Sequence, residues 1–371
     1  MAATVVGLDI GSTAVRGVEL NCSTKGGPTL LRFHEVPLPA NAVSKGEVLN
    51  PDVVKSALKR LWSEGKFKSK NVVLGTGNQS VLVRELSVPK MTLKGIRETL
   101  PFHVQSALQM TLEDSILDFY PTSETVGDQG VMVKGLLIAA DKEAILGNIR
   151  VTERAGLTPV EVDLIPFALN RLLTTRAKIK GTVALIDVGA TTTSIIIVGD
   201  GVPLFVRIIP AGGGDLTQAL ESSLDINNEA AEKLKRALRV GADLAIKEDF
   251  GPTTTLCTCP KCQSDLGTAD DPRVSEILQR ITGELLGSLR NTVSYFNNTH
   301  PEDFVSQIIL TGGGAQLSGF PLALNAMVQI PVTVADPFAN ISLAHKLENQ
   351  NFSEKNPSLS VAMGLALRTL S

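Results

Sequence analysis

Residues 5–20 read VVGLDIGSTAVRGVEL, and residues 183–198, almost half the chain further on, read VALIDVGATTTSIIIV. Each is an apolar run, an Asp-(Ile/Val)-Gly-(Ser/Ala)-Thr turn and a second run of strand-forming residues. Two such runs joined by a short glycine-bearing turn predict a hairpin, and self-similarity at this separation predicts a duplicated unit. The fold class that follows is α/β, in two related halves that each open with a hairpin.

Outward from the hairpins the pattern continues. Residues 71–77 (NVVLGTG) and 135–140 (GLLIAA) read as buried strands. Residues 51–62 place Val53, Val54, Ala57, Leu58 and Leu61 at helical spacing behind Asn50, an N-cap residue followed by proline at the first helical position. A similar helix over 142–154 is closed by Gly156. In the second half, helices are predicted over 216–224, 228–238 and 274–296, with a short strand over 307–310. Two stretches interrupt this order. Residues 84–134 contain Pro89, Pro101 and Pro121 and mix strands with a helix over 93–108 that is bent or interrupted at Pro101. Residues 247–272 form a polar loop that holds Cys257, Cys259 and Cys262.

Composition narrows the function classes. The 371 residues are 43% hydrophobic and 20% charged, which fits about two folded domains and excludes a disordered chain. A net charge of −3 and only 4% aromatic residues argue against a nucleic-acid surface. The start carries no basic segment ahead of its apolar residues, and no apolar run approaches the roughly 18–20 residues that cross a bilayer. A cytoplasmic location without direct membrane insertion is the expectation. Four cysteines make no disulfide framework.

The glycines and carboxylates are ordered as a nucleotide would need them. Gly11, Ser12 and Thr13, and then Gly189, Thr191 and Thr192, lie in tight turns where backbone N–H groups can approach phosphate. Each turn follows an aspartate, Asp9 or Asp187, and a carboxylate beside phosphate requires a cation between them. Mg²⁺ held through water fits that requirement. A third turn, Thr311-Gly312-Gly313-Gly314, would admit a base and ribose, and a fourth contains Gly213 and Gly214. Glu232 and Lys235, with Arg236 beside them, share a helix face suited to ribose hydroxyls and adenine. Cys257-Thr-Cys259-Pro-Lys-Cys262 resembles one knuckle of a zinc ribbon without the second. Zn²⁺ there would need a fourth ligand, so a plain reduced loop is the simpler reading. The four histidines show no metal-ligand spacing, and His103 reads as a polar helix residue.

The order of phosphate turn, second phosphate turn, Glu-x-x-Lys-Arg helix, Thr-Gly-Gly-Gly turn and closing helix (SVAMGLAL, 360–367) resembles the actin, heat-shock chaperone and sugar-kinase superfamily. Within it, VLVRELSVPKM (81–91), RAGLTPVEVDLIPFALNRLL (154–173) and AMGLALR (362–368) resemble the PilM family of type IV pilus assembly proteins, relatives of the division protein FtsA. The resemblance implies a duplicated actin-like, ribonuclease H-like fold. Residues 1–180 and 340–371 would form the first domain, with an FtsA/PilM-type extra subdomain inserted over 84–160, and 181–339 the second. It also implies ATP or ADP with Mg²⁺ in the cleft, and an adaptor role at the inner-membrane platform of a type IV pilus or a related type II secretion machine. The implied partner is the cytoplasmic N-terminal peptide of a PilN-like bitopic membrane protein, which would hold the chain peripherally at the membrane. A pilus assembly ATPase and self-association are further options.

Apolar residues of the insertion, among them Leu86, Val88, Met91, Leu93 and Ile96, could line a groove against the first domain that pairs with an extended peptide. Where PilM-like proteins commonly show a glutamate and a Tyr-Ile-Pro-like stretch, this chain has His103 and Ala107-Leu108-Gln109-Met110. Where hydrolysing relatives place Glu or Gln before a proline, it has Ile165 before Pro166, so hydrolysis is expected to be slow or absent. An FtsA-like cytoskeletal anchor and a sugar-kinase-like phosphotransferase are the alternatives.

Overall fold

The computed structural model describes residues 4–23, 27–104, 111–127, 130–240, 272–344 and 356–368. The first half runs β1 (Val5–Ile10), β2 (Ala14–Ser23), β3 (Gly27–Pro37), β4 (Val43–Ser44), β5 (Glu47–Val48), α1 (Pro51–Gly65), β6 (Asn71–Thr76), β7 (Leu82–Pro89), α2 (Leu93–Val104), β8 (Ser115–Gly127), β9 (Gly130–Asp141), α3 (Lys142–Arg154), β10 (Thr158–Leu164) and α4 (Ile165–Asn170). The second runs β11 (Thr182–Val188), β12 (Thr193–Gly199), β13 (Val202–Ile209), α5 (Gly213–Leu224), α6 (Asn228–Ala237), α7 (Pro272–Thr299), β14 (Gln307–Thr311), α8 (Phe320–Val328), β15 (Val332–Val334), β16 (Ser342–Leu343) and α9 (Ser360–Ala366).

The duplication is visible in the pairing. A six-stranded sheet has the order β10-β6-β1-β2-β3-β16, and a five-stranded sheet the order β13-β12-β11-β14-β15. In both, the leading strand pairs antiparallel with its hairpin partner and parallel with a later strand, β1 with β6 and β11 with β14. Strands covered on both faces are apolar throughout rather than alternating. This is why VVGLDI and TVALIDV are buried along almost their whole length.

Helix starts follow local chemistry. Asn50 Oδ1 accepts from the Val53 N–H at 3.3 Å, and Asp141 Oδ1 accepts from the Ala144 N–H at 2.8 Å, which caps α1 and α3. Helix α1 then buries Val54, Ala57, Leu58 and Leu61. The two sheets share one core. Ala168 and Leu169 of α4, and Met363 and Leu365 of α9, pack between Val18 and Leu20 of the first sheet and Leu185, Ile196 and Val198 of the second. Each fully buried leucine or valine there contributes about 1.5–3 kcal/mol, so the halves are joined by an apolar layer.

The insertion is a three-stranded sheet, β7-β9-β8, backed by α2. Three expectations change here. Strand β10 pairs parallel with β6 in the large sheet, so the separate layer ends with β9 and residues 142–160 belong with the first domain's main sheet. Helix α2 runs through Pro101 to Val104 without interruption; residues 105–110 lie outside the described residues. Val88 and Ile96 are fully buried in the subdomain's own core, with Leu86 packed against it, while Met91 and Leu93 reach solvent. The cysteine loop over 247–272 falls, but for its last residue, outside the described residues.

Candidate functional site

The two hairpin turns lie face to face. Within each, a glycine N–H closes the turn, Gly11 onto the Ala14 carbonyl at 3.1 Å and Gly189 onto the Thr192 carbonyl at 2.9 Å. Across the gap, Ser12 Oγ and Thr191 Oγ1 share a hydrogen bond of 2.7 Å. Among the described residues, the amides of Ser12, Thr13, Ala190, Thr191 and Thr192 have no hydrogen-bond partner. They form a row of donors of the kind that binds phosphate oxygens.

Beneath the turns stand Asp9 and Asp187. Removal from water pushes the Asp9 carboxyl above the ordinary carboxylate range, against the pull of Arg16, whose Nη1 lies 3.5 Å from Asp9 Oδ2. Asp187 is pushed up to about 7, first by its removal from water and then by the Asp9 charge, with Arg16 opposing. Two buried carboxylates whose charges interact, with Arg16 the one cation acting on both among the described residues, are an unfavourable arrangement in the bare protein. Opposite Asp187 on β12 is Ser194, whose buried Oγ has no hydrogen-bond partner among the described residues. A hydrated divalent cation fits this donor set: it would relieve both carboxylates and, through its water shell, give Ser194 a partner.

The glycine turns converge on the same point. Gly312 has φ +84, and a Cβ there would stand 2.4 Å from Asp187 Oδ1, so only glycine lets the third turn approach the aspartate. Thr311 Oγ1 anchors that turn by donating to the Pro357 carbonyl at 2.9 Å. Gly213 and Gly214 open α5 beside it, with a Cβ at Gly213 3.7 Å from the Gly314 Cα. Their own N–H groups donate to the Gly189 and Ala190 carbonyls at 2.9 and 2.7 Å. These glycines therefore tie two turns together rather than offer donors to a ligand. Gly313 follows in the short helical turn Gly313–Gln316.

On α6, Glu232 and Lys235 meet at 2.5 Å, and Lys235 Nζ also donates to Thr217 Oγ1 at 2.8 Å and to the Gly213 carbonyl at 3.2 Å. Burial pushes the Glu232 carboxyl up, but hydrogen bonds from Lys235 and Thr217 and the nearby cations hold it below its usual range. Arg236 stands 3.8 Å from Glu232 with its side chain largely in solvent. Gly213 thus links the second turn, the Gly312–Gly314 turn and the Glu232/Lys235 pair, and the Ser12–Thr191 bond joins the first turn to them. Sequence reading missed Arg16, Ser194, Thr217 and Lys45. The last donates its backbone N–H to Thr191 Oγ1 at 3.0 Å. Ile165 packs against Gly75 and Gly77 and offers no polar atom to the cleft.

Among the described residues no cluster of three or more His, Cys, Asp or Glu side chains could hold a metal ion; Cys257, Cys259 and Cys262 lie outside them. No described helix is long and apolar enough to cross a membrane. On the opposite flank of the first domain, β8 and β10 are edge strands of their sheets, with Ile116 and Val160 exposed. The ring of Tyr120 of β8 packs against Phe167 of α4 with centroids 5.0 Å apart and planes tilted by 54°, joining the insertion to the first domain.

Comparison with known proteins agrees with this architecture. FtsA of Bacillus subtilis is 23% identical over 328 residues, 81% of this chain and 72% of that protein. FtsA of Neisseria meningitidis serogroup B is 26% identical over 258 residues, 67% and 60% of the two chains. The solved PilM-PilN type IV pilus biogenesis complex contains a chain that superposes with a TM-score of 0.81 at 25% identity, covering 100% of both chains. MreB5 of Spiroplasma citri bound to ADP shares the fold, at a TM-score of 0.51 and 14% identity over 99% of this chain and 97% of its own. The profile of the family described as "Type IV pilus assembly protein PilM" matches residues 7–253 and 258–370. Nearly the whole chain is covered, and it belongs to the PilM family of type IV pilus assembly proteins.

Proposed function

We propose that this chain is a nucleotide-binding adaptor of pilus assembly, taking ATP or ADP with Mg²⁺ in its cleft and the cytoplasmic N-terminal tail of a PilN-like membrane protein on the flank of its inserted subdomain. The observation that carries the nucleotide reading is the convergence of the two Asp-x-Gly turns and the Gly312–Gly314 turn around Asp9 and Asp187. Asp9 and Asp187 would hold the cation through water, and the free turn amides would bind phosphates. Glu232 and Lys235 would frame ribose and base. The bound cation supplies charge neutralisation for the phosphates. The ADP-bound relative of the same fold supports this reading.

The partner reading draws on the similarity to the PilM chain of the PilM-PilN complex. The edges of β8 and β10, unpaired among the described residues and carrying exposed Ile116 and Val160, suit an extended peptide that adds by main-chain pairing with apolar anchors. Location at the inner face of the cytoplasmic membrane would follow from that partner.

Calorimetric titration tests the first half of the proposal: ATP binds wild type in the presence of Mg²⁺, and Asp9→Ala or Lys235→Ala weakens it by about 1–3 kcal/mol. Equal affinity in all three proteins rejects the site. Titration with the partner's tail tests the second half, with Ile116→Asp and Val160→Asp expected to abolish binding in proteins that still fold. Binding unaffected by both rejects the groove.

A further inference from the structure

We propose that Lys45 is a specificity residue of this cleft, its ammonium group recognising the terminal phosphate of a nucleoside triphosphate and so separating triphosphate from diphosphate. The proposal rests on the nucleotide reading above and deepens it.

The position of Lys45 follows from the fold. Strands β4 and β5 form a hairpin whose two-residue tip is Lys45-Gly46, both with positive φ, 49° and 83°. Such a tip favours Asn-Gly or Gly-Gly, because a side chain in the left-handed region crowds its own carbonyl. The tip is held from behind, where the Asn148 side-chain amide donates to the Gly46 carbonyl at 3.5 Å and Asn78 packs against Gly46. At its base, the Leu49 and Asn50 amides both donate to the Ala42 carbonyl at 2.9 and 3.1 Å. In front, the Lys45 N–H reaches the Thr191 hydroxyl, 146 positions away and itself bonded to Ser12. One hydroxyl therefore joins three segments: both phosphate turns and this hairpin.

The order of groups along the cleft gives the side chain its task. The Glu232/Lys235 pair marks the nucleoside end, followed by Gly213 and Gly314, then Asp187, then the Ser12/Thr191 gap, and Lys45 beyond it. A phosphate chain laid along this path ends at Lys45. Charge balance agrees. Arg16 is engaged by Asp9 and Glu35, and Lys235 by Glu232, whereas Lys45 is exposed and in no ion pair among the described residues. With its backbone N–H 3.0 Å from Thr191 Oγ1, its flexible four-carbon stem would carry the ammonium group to a phosphate bound by the Thr191 and Thr192 amides.

Calorimetry of the full chain with Mg·ATP and with Mg·ADP, on wild type, Lys45→Met and Lys45→Arg, tests this. The Met variant should bind ATP about tenfold more weakly, with ADP affinity within about twofold of wild type, and Arg should restore ATP binding. Unchanged melting temperatures without nucleotide will show that the fold is intact. ATP and ADP affected alike, or neither affected, in a chain whose wild type binds both would overturn the role of Lys45 while leaving the cleft assignment standing. A wild type that binds neither nucleotide would reject the nucleotide reading and this proposal with it.

Discussion

The two hairpins share one backbone and differ in electrostatics. In β1–β2 the residue directly opposite Asp9 is Arg16; in β11–β12 the residue opposite Asp187 is Ser194. Cross-strand partners project from the same face of the sheet. The first aspartate therefore carries its own counter-charge, and that arginine is further engaged by Glu35 at 2.5 Å. Among the described residues the second aspartate faces an unpartnered hydroxyl, and its carboxyl is pushed up to about 7. Duplication preserved the turn that presents amides and divided the labour of the carboxylates. Among the described residues the first aspartate has a cation paired with it, which offsets only part of the cost of its burial, and the second has none.

The strongest way to break this comparison is to make the first hairpin like the second. Arg16→Ser leaves Asp9 buried beside Asp187 with no cation, and should cost about 3 kcal/mol of stability at pH 8, the lower end for a broken buried pair because Asp9 can take up a proton. An unchanged urea midpoint would show that Arg16 does not balance Asp9. Next in size is the ligand effect. Asp187→Asn should weaken Mg²⁺-dependent ATP binding by about 1.5–3 kcal/mol, and more than Asp9→Asn does, since only Asp187 lacks an internal partner. Equal losses in the two variants would mean that the halves share the cation evenly.

A pH series without metal sharpens the same contrast. The folded-state carboxyl of Asp187 lies above its unfolded value, so its contribution to stability is complete below about pH 4 and is lost as pH rises through about 7. The melting temperature of the metal-free chain should therefore decline over that window, and Asp187→Asn should flatten the decline. A slope equal to wild type would place the titration elsewhere. The smallest signal expected is turnover, because Ile165 has no group to orient water; ATP hydrolysis at or above about 1 s⁻¹ would show that another residue does so.

Much of this was legible in the sequence, for identifiable reasons. The hairpins were found because the Asp-x-Gly turn recurs with its flanking apolar runs intact, and helix starts because Asn50 with Pro51 is a local signal. The glycine turns and the Glu232/Lys235 pair were found as motifs, since each is contiguous. What joins them was not visible. Arg16 and Ser194 matter through strand register, Thr217 through the packing of α5 on α6, and Lys45 through a contact with Thr191 that spans 146 positions. The insertion misled for a related reason. Val88 and Ile96 carry the same apolar character whether they face a partner or their own sheet, and only the placement of α2 across β7-β9-β8 decides between the two.

Helix α9 lies near the end of the chain and is buried along its full length, and a Cβ on Gly7 would stand 2.0 Å from the Ala362 carbonyl oxygen. The wall of the first domain is thus made of its earliest and latest residues. During synthesis the second half can cover one face of its sheet with residues 184–324, while Leu185, Ile196 and Val198 on the other face pack against α9. One face of β1, with Val6 and Leu8, is covered from within the first half by residues 15–157, but the face that carries Val5 and Gly7 gains its cover with residues 359–367. The faces of both sheets that meet at α9 therefore stay incompletely covered until residues 359–367 have been made.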